Sequence, residues 1–364
     1  MTERNREIHI IGIVGLPAKY GGFETLVDQL LESEELKTRK ITVYCDKSFS
    51  QNESNTYKKA ILKVLPWKAN GWQSIVFDAL GIYRASKKNA CILILGTSST
   101  FLLPYFRLVF PKSRYVVNMA GLEWSRSKWG FLARLILRFN EFCAAKYSHA
   151  LIADNKGLVE YVKNKYNVNA QLIAYGGDQH QNTKLDNSIL EKHKLPEKFD
   201  FGMARAQSDN NLEIILETYA STDINLVFVS NWQSSEFGKK LYNKFCNNDN
   251  LFLLDPIYDS GMILSLHSKT RLYVHGHCSG GTNPVLVEAM WSGLPTAAFD
   301  VVFNQETTLG QSFYFKNTNQ LLEIITNTPK NTLEETGKRL LEIAKREYSW
   351  SKIRSDYERL ILFY

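Results

Sequence analysis

The chain has 364 residues, a formal net charge of +7, 44% hydrophobic and 22% charged residues. It is too long for one ordinary core and suits two domains, and its composition is that of a globular chain, which excludes a disordered or fibrous one. No apolar run is long enough to span a bilayer, because the most apolar stretch, 91–110, is broken by Gly96, Pro104 and Arg107.

The charged start, 1–7, runs straight into an apolar strand and predicts no signal peptide. Ile8 to Val14 reads as a buried strand and 15–22 as a turn. Phe23 to Glu32 reads as a helix, with Phe23, Leu26, Val27, Leu30 and Leu31 at helical spacing. Ile41 to Cys45 and Ala60 to Leu65 read as strands, and Trp72 to Lys87 as a helix. Cys91 to Leu95 and Tyr115 to Met119 are further continuous apolar strands. Ser127 to Ser148 reads as a long helix, followed by a strand at Ala150 to Ala153. Continuous apolar strands alternating with helices predict a parallel sheet covered on both faces.

The second half repeats the pattern. A short strand, Leu172 to Ala174, ends at the turn 175–178, and a polar stretch, 179–198, reads as the domain connection plus a helix. Strands are predicted at Phe199 to Met203, Asn225 to Val229, Leu251 to Leu254, Leu272 to His275 and Pro295 to Phe299. Helices are predicted at Asn211 to Ala220, Met262 to Ser268, Pro284 to Ser292 and through the tail from Thr332. Two successive α/β domains follow, with ligand sites at the carboxyl ends of the strands. The cysteines (Cys45, Cys91, Cys143, Cys246, Cys278) are scattered and odd in number, which predicts reduced thiols in the cytoplasm.

The sharpest chemical signal is 275–290. A strand stops at Gly276, His277, Cys278, Ser279, Gly280, Gly281, Thr282 and Asn283, and Pro284 opens an apolar helix carrying Glu288 near its start. Free backbone N–H groups at a helix N-terminus suit an anion, usually a phosphate, and Glu288 suits a pair of sugar hydroxyls. Gly21 and Gly22 before the first helix allow a second close approach, although a mere turn explains them as well. The pattern is not GxGxxG and no P-loop occurs, which disfavours a dehydrogenase or a P-loop NTPase. His275, His277 and Cys278 are too compressed for a zinc set, so no metal is expected.

Glu123, Trp124, Arg126, Lys128 and Trp129 follow a strand end, where a carboxylate, two cations and two indoles suit a polyanionic, glycan-bearing substrate. Surface charge beside half-buried indoles is the plainer alternative. Arg205, just after a strand, suits a diphosphate or an ordinary surface ion pair. From 101 to 149 there are eight basic residues (Arg107, Lys112, Arg114, Arg126, Lys128, Arg134, Arg138, Lys146) against Glu123 and Glu141, with aromatics interleaved. Such a stretch suits an anionic membrane surface; a solvated basic helix face is the alternative, and no nucleic-acid motif accompanies it.

Together these segments resemble bacterial family 4 glycosyltransferases of the group that includes capsule and O-antigen rhamnosyltransferases. The resemblance is carried by 15–25, 121–129, 255–259, 275–290 and 303–308, and extends over essentially the whole chain. It implies an α/β GT-B fold of two Rossmann-like domains with parallel sheets facing a cleft. The first domain, 1–178, would take the acceptor; the second, 179–345, the nucleotide sugar; and a helix, 346–364, would return to the first. It implies a retaining transfer without metal or other cofactor, from a nucleotide-diphosphate sugar to a polyprenyl-diphosphate-linked glycan. The protein would then be cytoplasmic and peripheral at the inner face of the membrane, with no nucleic-acid partner.

By residue, the resemblance makes Arg205 and Glu123 catalytic. Gly21, Gly22, Arg205, Asn210, His277, Gly280, Gly281, Thr282, Asn283 and Glu288 would hold the donor, and Glu123, Trp124, Arg126 and Lys128 the acceptor. Glu288 matches the family's ribose-binding glutamate. Three positions depart from the pattern: Gly280 stands where a sugar-reading glutamate is usual, Asn210 where a lysine is usual, and Ala120 where the subgroup has an aspartate. dTDP-rhamnose is the first expected donor. A UDP- or GDP-hexose remains open, as does a catalytically inactive GT-B scaffold; a non-hydrolysing epimerase is disfavoured because no acid–base carboxylate cluster is evident.

Overall fold

The computed structural model describes residues 6–18, 21–48, 55–126, 129–181 and 183–364. It divides into two compact units: Met1–Ala174 with Ser351–Tyr364, and Tyr175–Trp350.

The sheet of the first unit runs in the order β3 (Thr56–Tyr57), β4 (Ala60–Val64), β2 (Ile41–Cys45), β1 (Ile8–Ile11), β5 (Cys91–Leu95), β6 (Arg114–Asn118), β7 (Ala150–Ala153), β8 (Gln171–Leu172). Every pairing is parallel except β3 with β4. Its helices are α1 (Gly22–Leu30), α2 (Gln73–Ser86), α3 (Leu103–Val109), α4 (Phe131–Tyr147) and α5 (Lys156–Tyr166). The central strands β1, β2, β5 and β7 are buried at every position, as helices on both faces require.

The second sheet has the order β11 (Leu251–Leu254), β10 (Leu226–Val229), β9 (Phe199–Met203), β12 (Thr270–His275), β13 (Thr296–Phe299), β14 (Phe313–Phe315), all parallel. It carries α6 (Ser188–Lys192), α7 (Leu212–Ala220), α8 (Glu236–Phe245), α9 (Ser260–Lys269), α10 (Pro284–Trp291), α11 (Val302–Thr307), α12 (Thr318–Asn327) and α13 (Lys330–Glu347). The last helix, α14 (Trp350–Phe363), belongs to the first unit from Ser351 onward.

Each sheet has one switch point. In the first, the chain works outward from β1 through β2 and β4, then crosses to β5 on the other side. In the second it works outward from β9 through β10 and β11, then crosses to β12. Ligands of open parallel sheets bind outside the carboxyl ends at such points. Both points are sealed below by a glycine: a Cβ on Gly12 would lie 2.1 Å from Leu95 O, and one on Gly276 2.1 Å from Asn210 O.

Several elements differ from the sequence reading. The first strand stops at Ile11 instead of Val14, because Gly12 takes φ +105°. The long helix expected from Ser127 starts at Phe131, after Gly130 in extended conformation. Helices α3, α5, α8, α11 and α12 were not expected from the sequence; α3 lies in a stretch too apolar to show helical periodicity.

Candidate functional site

The loop after β12 lies at the switch point of the second unit. Three asparagine amides hold it. Asn211 Nδ2 donates to Gly276 O (2.8 Å), and Asn304 Nδ2 donates to His277 O and Phe299 O, both at 2.8 Å. Asn210 Nδ2 donates to Arg205 O (2.8 Å), so its Oδ1 faces His277 Nδ1 at 2.7 Å. That orientation puts the imidazole proton on Nδ1. Asn210 is buried with both ends of its amide engaged. It joins the loop after β9 to the loop after β12. Arg205 is exposed on the first of these loops.

Gly280 has φ +105°, a conformation that side-chain-bearing residues rarely adopt. The nearest atom to a Cβ there is His277 Nε2 at 3.7 Å. The glycine where a glutamate was expected therefore follows from the path of this turn. Gly281 and Thr282 complete the turn, with Thr282 buried. Asn283 caps α10, its Oδ1 accepting the N–H of Val285 at 3.1 Å, and Pro284 follows at the first helical position.

Glu288 sits one turn into α10, half-buried, and Gln179 Nε2 donates to its Oε1 at 2.6 Å. Gln179 Oε1 in turn accepts from Trp350 Nε1 at 2.7 Å. Burial pushes the Glu288 carboxyl up to about 7, against the smaller opposing effect of Gln179. Beneath it on β12, Tyr273 Oη and His275 Nε2 are buried with no hydrogen-bond partner among the described residues. Burial, with a smaller push from His277, lowers His275 to about 3, so the ring is neutral. Among the described residues no three His, Cys, Asp or Glu side chains group to hold a metal.

In the first unit, Gly21 is the N-cap of α1 in extended conformation, and Gly22 opens the helix. The positive end of α1 already holds a carboxylate. Glu24 is buried and accepts Val14 N–H at 2.8 Å, and the backbone of Gly21 also donates to it. Gly21 and Gly22 thus open a helix whose first turn already binds one carboxylate of the chain. Asp46, after β2, is taken up by Ser48 N–H (2.7 Å) and Ala69 N–H (3.1 Å).

The switch point of this unit lies beside a site the sequence reading missed. Gly96 has φ +99° and open space at its Cβ. Asp78 on α2 and Asn140 on α4 are both buried, and both reach Ser98, Asn140 Nδ2 donating to Ser98 O at 3.0 Å. Asp78 Oδ1 and Asn140 Oδ1 have no partner among the described residues. Burial raises Asp78 to about 7, with Ser98 opposing. The signal in the sequence was an aspartate on the inward face of a helix.

Glu123, Trp124 and Arg126 lie in or beside a short 3-10 turn, 123–125. Glu123 Oε1 accepts from Trp129 Nε1 (3.1 Å) and Oε2 pairs with Arg126 Nε (2.9 Å). Trp124 donates to Glu141 Oε2 at 2.9 Å, and Arg138 stacks 4.2 Å over its ring. Lys128 lies outside the described residues, as do Lys19, Tyr20 and Ser127 of the quoted segments. Ala120 takes φ +54° and donates its N–H to Asn118 Oδ1 at 3.0 Å, while Asn118 Nδ2 donates to Tyr357 Oη on α14 at 2.7 Å. The basic aromatic stretch forms α3 and α4, and their exposed side chains are apolar as well as cationic: Leu108, Phe131 and Leu132 are 82%, 76% and 73% exposed. Among the described residues no helix is long and apolar enough to cross a membrane.

Several solved structures share this architecture. Sucrose-phosphate synthase from Thermosynechococcus elongatus superposes with a TM-score of 0.79 at 16% identity, covering 98% of each chain. The chain has the GT-B fold. WaaG, a glycosyltransferase involved in lipopolysaccharide biosynthesis, gives a TM-score of 0.71 at 14% identity, over 97% of this chain and 99% of that one. The E. coli trehalose-6-phosphate protein bound with UDP-2-fluoro glucose gives 0.68 at 8% identity, over 98% and 99%. A family profile described as a domain of unknown function (DUF1972) matches residues 5–178. No curated protein matches the sequence.

Proposed function

We propose that this protein is a glycosyltransferase that moves a sugar from a nucleotide diphosphate to a saccharide acceptor. The observation that carries this reading is the switch-point loop 276–283, leading into capped α10 with Glu288 one turn inside. The N–H groups of α10's first turn are held within the helix cap, so the attraction for a diphosphate comes from the positive end of the helix dipole and the backbone of the loop before it, and Glu288 suits ribose hydroxyls. The GT-B neighbours support it, one of them bound with UDP-2-fluoro glucose.

In this mechanism the bond between the anomeric carbon and the diphosphate breaks while the acceptor oxygen bonds the same face of that carbon. The acceptor proton passes to the departing phosphate, so two flanking carboxylates are not required. Arg205 and the α10 dipole stabilise the charge growing on the diphosphate without a metal. The first proposed donor is dTDP-rhamnose. The acceptor is a polyprenyl-diphosphate-linked glycan of surface polysaccharide, met at the inner face of the membrane near Glu123, Trp124 and Arg126. The cations and exposed apolar side chains of α3 and α4 favour such an acceptor.

Arg205→Ala is expected to lower turnover about 100-fold with the fold intact. Release of nucleoside diphosphate from a panel of dTDP-, UDP- and GDP-sugars measures it. Wild-type turnover in the variant removes Arg205 from the chemistry, and no turnover or nucleotide-induced thermal stabilisation with any donor leaves the scaffold reading in its place.

A further inference from the structure

A cavity of about 380 Å³ lies at the amino edge of the first sheet, opposite the carboxyl ends where that sheet's switch point lies, and is lined by Arg107, Pro111, Ser113, Arg114 and His149. Arg107 ends α3, Arg114 opens β6, and His149 precedes β7. No acidic residue lines it. The guanidinium groups are oriented by backbone carbonyls: Arg107 Nη1 donates to Tyr147 O (3.3 Å), and Arg114 Nη1 to Pro111 O (3.0 Å) and Ser113 O (3.2 Å). None of these bonds neutralises a charge. The charged groups acting on His149 are Arg107, Arg114 and Arg6, all cationic, and with burial they hold the imidazole neutral. Arg6 Nη1 is itself buried with no partner among the described residues. Two guanidinium groups lining the cavity, a third acting from nearby, and no acidic side chain among its described lining residues make a site for an anion, and a planar fork matches phosphate oxygens.

The surroundings say which phosphate. Leu108 follows Arg107 directly and is 82% exposed. On α4, Phe131, Leu132, Leu135, Ile136 and Phe139 are all exposed and recur every three to four residues along one side. Arg107 bonds the carbonyl of Tyr147, the last residue of α4, whose ring meets that of Phe142, and Phe142 stacks on Phe139, so exposed rings link the stripe to the cavity. Soluble surfaces rarely leave so much contiguous apolar area unpartnered. A helix with an apolar side and flanking cations lies in the headgroup plane of an anionic bilayer.

We propose that the Arg107–Arg114–His149 cavity binds the headgroup phosphate of an anionic lipid while the apolar side of α4 enters the acyl boundary. This deepens the membrane part of the function proposed above and rests on it. The occupant is a lipid because the cations and the exposed stripe adjoin; a free phosphate would have no use for the stripe.

The test uses the full chain with vesicles of phosphatidylcholine and vesicles in which part of the lipid is phosphatidylglycerol. Co-sedimentation is expected with the second and weak with the first. The double variant R107A/R114A is expected to bind the anionic vesicles about thirtyfold more weakly, and R107K/R114K to retain most of the binding. L135S/I136S is expected to lose binding to both vesicle types, and thermal melts check that each variant folds. Equal binding to both vesicle types, or unchanged binding by R107A/R114A, overturns the proposal. So does thermal stabilisation by inorganic phosphate without vesicle binding, which assigns the cavity to a free anion. Donor turnover in the absence of vesicles is expected to be the same in R107A/R114A as in wild type. If wild type turns over no donor yet binds anionic vesicles through the two arginines, the transferase reading fails and this one stands.

Discussion

Glycine residues of similar appearance in the sequence do different work. Gly280 stands at φ +105°, so a substitution there strains the turn although space is available around its Cβ. Gly21 is extended and helix-adjacent, a conformation open to any residue. Gly280→Ala is therefore expected to destabilise the protein by about 1 kcal/mol or more, and Gly21→Ala to cost less. Chemical denaturation of the two variants measures the difference; equal costs would mean that the turn relaxes. In the family the chain resembles, a glutamate usually stands at the place of Gly280. The dihedral angle makes the glycine a backbone requirement of this turn.

At the scale of elements, α14 governs a loop distant in sequence. Tyr357 is fully buried and its hydroxyl accepts from Asn118, whose Oδ1 holds the N–H of Ala120 in its left-handed conformation. Ala120 and Gly121, at φ +54° and +91°, launch the 3-10 turn that carries Glu123 and Trp124. Tyr357→Phe leaves Asn118 Nδ2 unpaired at a cost of about 1–3 kcal/mol. Faster hydrogen exchange at 119–126 is expected in that variant, with exchange in β9 to β13 unchanged; unaltered exchange in the loop would show that α14 does not fix it. The tail was legible as an amphipathic helix from its spacing, but the residue it meets was not.

At the scale of the whole molecule, burial sets the response to pH through two opposed groups of side chains. His9, His149 and His267 are lowered to about 4 and His275 to about 3, each mainly by burial. From about pH 4 to 6.5 the unfolded chain binds protons at these rings that the folded chain does not, so folding stability rises with pH. Asp78 and Glu288 are raised to about 7 by burial. Over the same window the folded chain holds two protons that the unfolded chain has released, and stability falls with pH. Burial also lowers His180 and His193 and raises Glu24 and Asp200, so among the described residues six rings oppose four carboxyls. The melting temperature is expected to climb from pH 4.5 to 6.5 and then level off or dip slightly, with the climb steeper in D78N/E288Q. A melting series that falls throughout that range would show that the histidines are not buried in their neutral form.

The sequence by itself determined the alternation of apolar strands and helices, and hence two parallel sheets, because each buried strand must be apolar along its whole length. It also placed the loop 276–283 at a strand's carboxyl end and Glu288 just inside the next helix, since those relations are local. Strand order depends on which strands pair at long range, so only the tertiary structure fixed the switch points between β1 and β5 and between β9 and β12. The same holds for Glu24 filling the start of α1, the amide of Asn210 bridging two loops, and Asp78 meeting Asn140 at Ser98. The gathering of Arg6, Arg107 and Arg114 around His149 is of this kind too. Each joins residues whose proximity no local pattern encodes, and proximity in three dimensions decides which polar groups are satisfied and which are left to bind something else.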